Sequence, residues 1–180
     1  MISAMGNVFG SQNPIGQFES LEPNLNSFIE TTEIINLKEQ VSQLIEENDY
    51  TGFLSLEENE RGITIRIMDK ILFQSGSSVL GPSSFEILNK LAGILRTIPN
   101  DIRVEGHTDD IPINSPMFPS NWHLSVSRAL NTAYYLIENE GLNPDKVSIV
   151  GYGEYQPIAP NADEGGRAIN RRVDIVILNE

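Results

Sequence analysis

The 180-residue chain contains no cysteine and only two histidines, His107 and His123. The absence of cysteine excludes disulfide bonds, thiolate zinc sites and cysteine nucleophiles. A zinc site would have to recruit distant carboxylates around the histidines, so we predict no catalytic metal and no cofactor. The missing cysteines do not exclude an oxidising compartment, because a chain of this length can bury a core without disulfides.

The chain also lacks a long hydrophobic run. No segment approaches the roughly 18–20 apolar residues that cross a bilayer. The opening MISAMGNVFG has no basic start, no long apolar core and no cleavage site, so we predict no signal peptide there. Apolar residues nevertheless make up 39% of the chain, which is enough for a globular core.

Basic residues are scarce in the first third of the chain. Residues 1–60 contain eleven acidic residues against Lys38 alone, a net charge of −10, whereas residues 61–180 contain fourteen acidic and eleven basic residues, a net charge of −3. This asymmetry predicts an acidic linker over residues 1–60 and a folded domain over residues 61–180. Because no basic stripe offsets the acidic segment, we exclude nucleic acid as a partner.

Within the linker, residues 25–48 contain neither glycine nor proline and predict an amphipathic helix. Its apolar stripe consists of Phe28, Ile34, Leu37, Val41 and Leu44. Such a stripe packs either on the chain's own domain or on a second copy in a short coiled coil. Two heptads leave both alternatives open.

Alternating and helical patterns predict the elements of the second part. The predicted strands lie near residues 63–68, 102–107, 147–151 and 173–178, and the predicted helices near residues 82–98 and 122–139. The expected buried positions are Phe85, Leu88, Ala92, Leu95 and Ile98 on the first helix, and Val126, Leu130, Ala133 and Ile137 on the second. The order β-α-β-α-β-β predicts an α/β (α+β) fold with helices on one face of the sheet.

Asp109 and Arg128 are candidate binding residues. Asp109 follows the end of a strand, and Arg128 lies in the second turn of the next helix. A carboxylate suits an ammonium group, a guanidinium fork suits a carboxylate, and a helix amino terminus favours an anion. The pair could therefore grip a free α-amino-acid centre, or it could form a surface salt bridge. Glu105, Asp109 and Asp110 also cluster closely enough to suggest the carboxylate pair of a glycosidase, but Glu105 and Asp109 lie at one strand end, where two carboxylates more often have separate structural and binding roles.

Four motifs occur in order along the second part: GHTDD at 106–110, NWHLSVSRA at 121–129, GYGEYQP at 151–157 and GRAINRRVDI at 166–175. They resemble the motifs of the OmpA-like peptidoglycan-binding domain over roughly residues 61–180. Phe73 and Leu80 fit the short motif that precedes the first helix of that domain. The resemblance implies a β/α/β/α/β-β sandwich with a mixed sheet, preceded here by the linker helix.

In the family that the chain resembles, the domain clasps the diaminopimelate of the cell-wall stem peptide without catalysis. The resemblance implies that Asp109 binds the amino group and Arg128 the carboxylate of this ligand. The further positions that match the binding pocket by their motifs are Thr108, Asn121, Leu124, Ser125 and, in the NRRV motif, Arg172.

Within this family the chain is similar to MotB-type flagellar stator proteins, because SNW precedes HLSxxRA and a long proline-containing loop follows GHTDD. This similarity implies an anchor that tethers an ion-channel stator to peptidoglycan. It also implies a homodimer, a MotA-type channel partner reached through a membrane helix absent from this sequence, and an extracytoplasmic position of a protein held in the cytoplasmic membrane. The alternatives are an OmpA-like wall anchor of another envelope protein and a wall hydrolase that uses Glu105 or Asp109.

Overall fold

The structure is a computed structural model that describes residues 25–179, with side chains described from residue 32 onward. Residues 1–24 of the predicted linker, and the side chain of Phe28, lie outside the described part. No helix within that part is long and apolar enough to cross a bilayer.

A five-stranded sheet forms the centre of the domain. Its strands are β1 (Leu54–Asn59), β2 (Gly62–Met68), β3 (Ile102–His107), β4 (Val147–Gly151) and β5 (Arg172–Leu178). The order across the sheet is β1-β2-β5-β3-β4. Because β3 and β4 are parallel and the other neighbours are antiparallel, the sheet is mixed, as predicted.

Five α-helices accompany the sheet. They are α1 (Leu25–Glu47), α2 (Asp69–Leu72), α3 (Pro82–Leu95), α4 (Asn121–Glu138) and α5 (Glu164–Asn170), with a 3₁₀ turn at Pro144–Lys146. The three predicted helices and the four predicted strands are confirmed, with shifts of up to three residues at their ends.

The sequence analysis missed β1, α2 and α5. Strand β1, LSLEEN, buries only Leu54 and is otherwise mostly exposed and acidic, so it resembles a linker more than a strand. It nevertheless pairs with β2 and places residues 54–59 in the sheet. Helix α5, EGGRAIN, contains two glycines and spans seven residues. Its helix propensity is therefore low, and the Asp163 cap helps to define its start.

The two faces of the sheet differ in character. One face carries aliphatic side chains such as Ile65, Val104 and Ile175, which are fully buried in one core with side chains of α1, α3 and α4. The other face carries charged side chains, among them Glu105 and Asp174. This division follows from the alternation of side chains along each strand, which places successive residues on opposite faces.

Helix α1 packs on its own domain. Leu37 and Val41 are fully buried and Leu44 is nearly so, in contact with the domain core. The helix contacts α3 and β1. The apolar stripe is therefore used within the chain, which favours the first of the two alternatives over the coiled coil.

The buried face of α4 differs from the predicted face. Ala133 is buried as expected, but Val126 and Leu130 are exposed, and so is Phe85 on α3. The buried residues of α4 are instead mostly small or polar, together with two leucines. They are Asn121, Leu124, Ser125, Arg128, Ala129, Thr132, Ala133 and Leu136. The expected positions Phe85, Val126 and Leu130 were wrong. Gly106 and Gly151 let α4 approach the strands at Ser125 and Val126, which leaves much of Val126 and Leu130 exposed, and Phe85 on α3 stacks on Tyr135 of α4.

Candidate functional site

Three strands have their ends at one edge of the sheet. Met68 at the end of β2 and His107 at the end of β3 both pair with Arg172 at the start of β5. The residues just outside these strand ends are Asp69, Thr108 and Arg171. The topology therefore brings together polar residues from three distant parts of the sequence.

Glycines allow α4 to reach the same edge. A Cβ at Gly106 would collide with the carbonyl oxygen of Ser125 in α4, and a Cβ at Gly151 would collide with Val126. The glycine of the GHTD motif is therefore needed for the close approach of β3 and α4. This approach places the first turns of α4 beside the ends of β2 and β3.

A cavity of about 650 Å³ lies at this edge. Its walls include five of the seven residues predicted to bind ligand, namely Thr108, Asp109, Asn121, Leu124 and Arg128. The walls also include Asp69, Phe73, Glu164 and Arg171, which the sequence analysis did not assign to the site. The cavity thus contains charged groups of both signs beside an aromatic ring.

Arg128 forms the deepest charged group of the cavity, with 2% of its surface exposed. Its Nε donates to the carbonyl oxygen of Ser77 at 2.9 Å, and its Nη1 donates to Oδ2 of Asp69 at 3.1 Å. The guanidinium carbon lies 5.0 Å from the centre of the Phe73 ring. Its Nη2 donates no hydrogen bond to the described residues, so this nitrogen is free to meet a ligand.

Asp69 is the buried partner of Arg128. Burial raises the pKa of the Asp69 carboxyl, and the nearby guanidinium groups of Arg128 and Arg171 partly oppose this shift. Burial likewise lowers the pKa of Arg128. Both charges therefore depend on each other, since either one alone would be costly to bury.

Asp109, which is 7% exposed, is paired with Arg171 rather than with Arg128. Its Oδ2 accepts from Nη1 of Arg171 at 2.6 Å, and its Oδ1 accepts from the amide of Ile111 at 3.1 Å. Arg171 also approaches Asp69, with 3.8 Å between Nε and Oδ2. The charges therefore alternate along the cavity as Arg128, Asp69, Arg171 and Asp109, and the direct salt bridge considered from the sequence is not formed.

Thr108 and Asn121 organise the walls. The Thr108 hydroxyl donates to the carbonyl oxygen of Asp109 at 2.8 Å. The Asn121 amide nitrogen donates to the carbonyl oxygen of Ile111 at 3.1 Å and to Oε2 of Glu154 at 2.6 Å, and its oxygen accepts from the amide of Ile113 at 3.2 Å. Asn121 thus ties the loop after β3 to α4.

Two of the predicted residues lie outside the cavity. Ser125 is fully buried, and its hydroxyl donates to the carbonyl oxygen of Trp122 and accepts from the amide of Gly153. Arg172 lies on the opposite face of the sheet, where its Nε donates to Oδ2 of Asp174 at 3.0 Å. Arg171 lines the cavity instead.

Glu105, His107 and Asp174 form a second cluster on the face of the sheet where Arg172 lies. Their potential ligand atoms lie within 4.8 Å of one another, as in a cation site. However, Arg61 already donates to Glu105, and Arg66 and Arg172 donate to Asp174. Because these guanidinium groups balance the carboxylates, the cluster is built as an ion network and is poorly suited to a cation. Glu105 does not face the cavity of Asp109, so the two carboxylates cannot flank one substrate.

These features define a mixed α/β domain with an open, charge-alternating cavity at the strand ends, suited to a small zwitterionic group. The chain belongs to the OmpA family, which it matches over residues 72–171.

Relatives and solved structures agree with this assignment. The chain is 39% identical to Motility protein B of Bacillus subtilis (strain 168) over 147 residues, which are 81% of this chain and 56% of the relative. The cell wall anchor of the T6SS from Pseudomonas aeruginosa superposes with a TM-score of 0.71 at 29% identity, covering 78% of this chain and 97% of that chain. The periplasmic domain of Helicobacter pylori MotB (residues 78–256) superposes with a TM-score of 0.66 at 30% identity, covering 71% and 82%. The chain spans just over half the length of the first curated relatives it matches.

Proposed function

We propose that this chain is a non-catalytic peptidoglycan-binding anchor whose cavity holds the free α-amino-acid centre of diaminopimelate in the cell-wall stem peptide. The observation that carries the proposal is the alternation of Arg128, Asp69, Arg171 and Asp109 along one cavity. An α-amino-acid centre carries an ammonium and a carboxylate on the same carbon atom. It can therefore bind across such a row of alternating charges without leaving any charge unpaired.

The hydrogen-bonding capacity left in the cavity supports an orientation. The ligand carboxylate takes the free Nη2 of Arg128, where a charge-assisted bond is strong because the guanidinium is buried. The ligand ammonium lies near Asp109, whose carboxylate oxygens each retain acceptor capacity beyond the bonds from Arg171 and Ile111. Phe73 and Leu124 supply an apolar wall for the methylene groups of the side chain.

The same geometry supports binding rather than hydrolysis. A glycosidase needs two carboxylates that flank the scissile bond with the substrate between them. In this cavity Arg171 occupies the space between Asp69 and Asp109. The proposal therefore includes no enzyme activity, no metal and no cofactor.

We further propose that the anchor belongs to a flagellar stator. The Bacillus subtilis relative is a motility protein, and the Helicobacter pylori structure is a periplasmic domain of MotB. On this proposal the described domain lies on the extracytoplasmic side, and the whole protein is held in the cytoplasmic membrane. A homodimer and a MotA-type channel partner belong to the same proposal and rest on the same likeness. The T6SS cell wall anchor favours the second candidate, an OmpA-like anchor of another envelope assembly.

Co-sedimentation with purified sacculi tests the binding function. Arg128→Lys keeps the positive charge but loses the planar guanidinium group with its several N–H donors. Asp109→Asn keeps the shape of the side chain but loses its negative charge. Each is expected to weaken binding by about 2–4 kcal/mol, because Lys cannot provide the Nη2 contact to the ligand carboxylate and Asn leaves the ligand ammonium without its charged partner. Asp101→Asn, at an exposed aspartate outside the cavity, is the matched control and should bind normally. Normal binding by both cavity variants, with unchanged circular dichroism, would refute the proposal, and release of soluble wall fragments would favour a hydrolase.

Replacing the wall-binding domain of a motility protein B with residues 25–180 in a non-swimming host tests the stator assignment. Restored swimming supports it. Wall binding without swimming would favour the general anchor.

A further inference from the structure

A second cavity of about 350 Å³ adjoins the charged cavity. The two share the wall residues Pro112, Ile113 and Asn121. The second cavity is bounded on its other side by Trp122 and Tyr155, which we name the aromatic shelf. A ligand that leaves the charged cavity past Asn121 therefore meets the shelf next.

The aromatic shelf is unusually open to solvent for such large rings. Trp122 is 47% exposed and Tyr155 is 61% exposed. The two rings stack on each other with their centroids 5.2 Å apart and their planes 24° apart. Leaving apolar ring surface in water is unfavourable, so a ligand that covers it would be stabilised.

The shelf is also held rigidly with respect to the charged cavity. The amide of Thr108, beside Asp109, donates to the carbonyl oxygen of Gly153 at 2.9 Å, and the amide of Gly153 donates to the Ser125 hydroxyl at 2.9 Å. Glu154 accepts from the Asn121 side chain. Three hydrogen bonds thus join the segment before Tyr155 to the wall residues Thr108 and Asn121 and to Ser125 in α4, which gives the shelf the preorganisation that a binding surface needs.

We infer that the aromatic shelf binds a pyranose ring of the glycan strand, an N-acetylhexosamine, while the stem peptide of the same strand occupies the charged cavity. This inference rests on the proposed function. A pyranose ring has one face of C–H groups that packs on an aromatic ring, and a rim of hydroxyl and N-acetyl groups that requires polar partners. Asn114, Ser120 and Glu154 provide such partners around the shelf.

The spacing of the ligand agrees with the spacing of the two cavities. Two amino acids and a lactyl group separate diaminopimelate from the sugar ring, and three such units span roughly 10 Å when extended, to which the diaminopimelate side chain adds. This linker is long enough to connect two cavities that share three wall residues.

The test compares two soluble ligands by calorimetry with the full chain. One is a muropeptide, the N-acetylglucosamine–N-acetylmuramic acid disaccharide that carries a diaminopimelate-containing stem peptide, and the other is the same stem peptide without sugars. The muropeptide is expected to bind about three- to tenfold more tightly. Trp122→Ala and Tyr155→Ala should each remove most of this difference while the affinity for the free peptide stays unchanged. Tyr134→Ala is the matched control, because Tyr134 lies on the same helix and is 62% exposed but lines neither cavity.

The outcomes separate the inference from the proposed function. Equal affinity for the two ligands, with the free peptide bound, would overturn the inference and leave the proposed function intact. An equal loss of affinity for both ligands in Trp122→Ala would also overturn it, since the shelf would then contact the peptide. Failure of the wild-type chain to bind the free peptide would overturn the proposed function and the inference with it.

Discussion

Two clusters of arginines and carboxylates lie near the strand ends, one on each face of the sheet. On the cavity side, Arg128, Asp69, Arg171 and Asp109 line an opening of about 650 Å³, and Nη2 of Arg128 makes no hydrogen bond to the described residues. On the opposite side, which we call the back face, Arg61, Arg66 and Arg172 hold Glu105 and Asp174 in an ion network. Similar residue types thus line an open cavity on one side and form a closed ion network on the other.

Residues that are neighbours in the sequence can have different roles, one in the cavity and the other in the ion network. Arg171 and Arg172 are neighbours in one motif, yet Arg171 reaches Asp109 in the cavity and Arg172 reaches Asp174 on the back face. Asp109 also lies in the cavity whereas His107, two residues earlier, lies on the back face, because His107 is the last residue of β3 and Asp109 lies in the loop that follows. A motif match alone cannot assign such neighbours, because the alternation within a strand and the position where the strand ends together decide which side each one faces.

The largest expected effect is the loss of stability in Asp174→Ala. This change leaves the buried Arg172 and the mostly buried Arg66 without the carboxylate that both share. We expect the free energy of unfolding to fall by about 3–5 kcal/mol, as measured by urea denaturation. The affinity of the folded protein for the stem peptide should stay unchanged, since Asp174 does not line the charged cavity.

Asp101→Ala is the control for this prediction, because it removes an exposed aspartate instead of a buried one. If the free energy of unfolding fell by less than about 1 kcal/mol in Asp174→Ala, the ion pairs of the back face would be screened by solvent like ordinary surface pairs.

The second prediction separates the two neighbouring arginines. Arg171→Ala should weaken stem-peptide binding by roughly tenfold, because Asp109 loses the bond that orients it toward the ligand ammonium. Its stability should fall by about 1 kcal/mol, because Arg171 is partly exposed and the buried Asp69 and Asp109 keep their bonds from Arg128 and the Ile111 amide. Arg172→Ala should leave the peptide affinity unchanged and lower stability by about 1.5–3 kcal/mol, because a buried charge-assisted bond is lost. Calorimetry and urea denaturation on both variants measure the two effects. If the two variants gave the reverse pattern, the assignment of the cavity side and the back face would be wrong.

Much of the division between the cavity side and the back face could be predicted from the sequence. The motifs identified Asp109 and Arg128, and the alternation of Val173, Ile175 and Ile177 is sufficient to place the core face of the last strand, although the prediction did not use it. The same alternation assigns Arg172 to the back face and Arg171 to the side of the core, a signal that the motif match concealed. Asp69 could not be predicted in this way, because only the pairing of β2 with β5 brings it beside Arg171.

The buried face of α4 was harder to predict for a different reason. Val126 and Leu130 fit a helical apolar stripe, but Gly106 and Gly151 bring the strands against α4 at Ser125 and Val126, so the side of the helix that is buried is set by this close contact. Hydrophobic periodicity reports which residues are apolar and carries no information on the distance between elements. A glycine in each of two strands that precede or follow a helix is the signal that would have revealed the close approach.

The third prediction concerns the pH dependence of the back face. Burial lowers the pKa of His107, which faces Glu105, Asp174, Arg172 and Tyr152. The folded protein therefore takes up a proton at lower pH than the unfolded chain, whose histidine has a pKa of 6.5. The stability contribution is present above this value and is lost as the pH falls through the lowered pKa, by at most about 1.4 kcal/mol per pH unit.

Urea denaturation of the wild type and His107→Gln between pH 5 and pH 8 isolates this effect. The difference in the free energy of unfolding should move in favour of the variant as the pH falls below 6.5. A constant difference across the range would show that His107 is protonated in the folded state as easily as in the unfolded chain.

The smallest effect is expected from Glu164→Gln, which removes the second partner of Arg171 on the cavity side. Glu164 is 67% exposed in its side chain, and the hydrogen bond and the positive charge of Arg171 lower the pKa of its carboxyl. Solvent screens such an exposed pair, so the stem-peptide affinity should change by less than about twofold. The direction should be a small loss, because Glu164 adds negative charge to the end of the cavity where Asp109 meets the ligand ammonium. Calorimetry at low and high salt measures this change, and it should vanish at high salt because screening removes it. A tenfold loss of affinity at both salt concentrations would instead make Glu164 a direct partner of the ligand ammonium, and the cavity would then bind its ligand with three carboxylates rather than two.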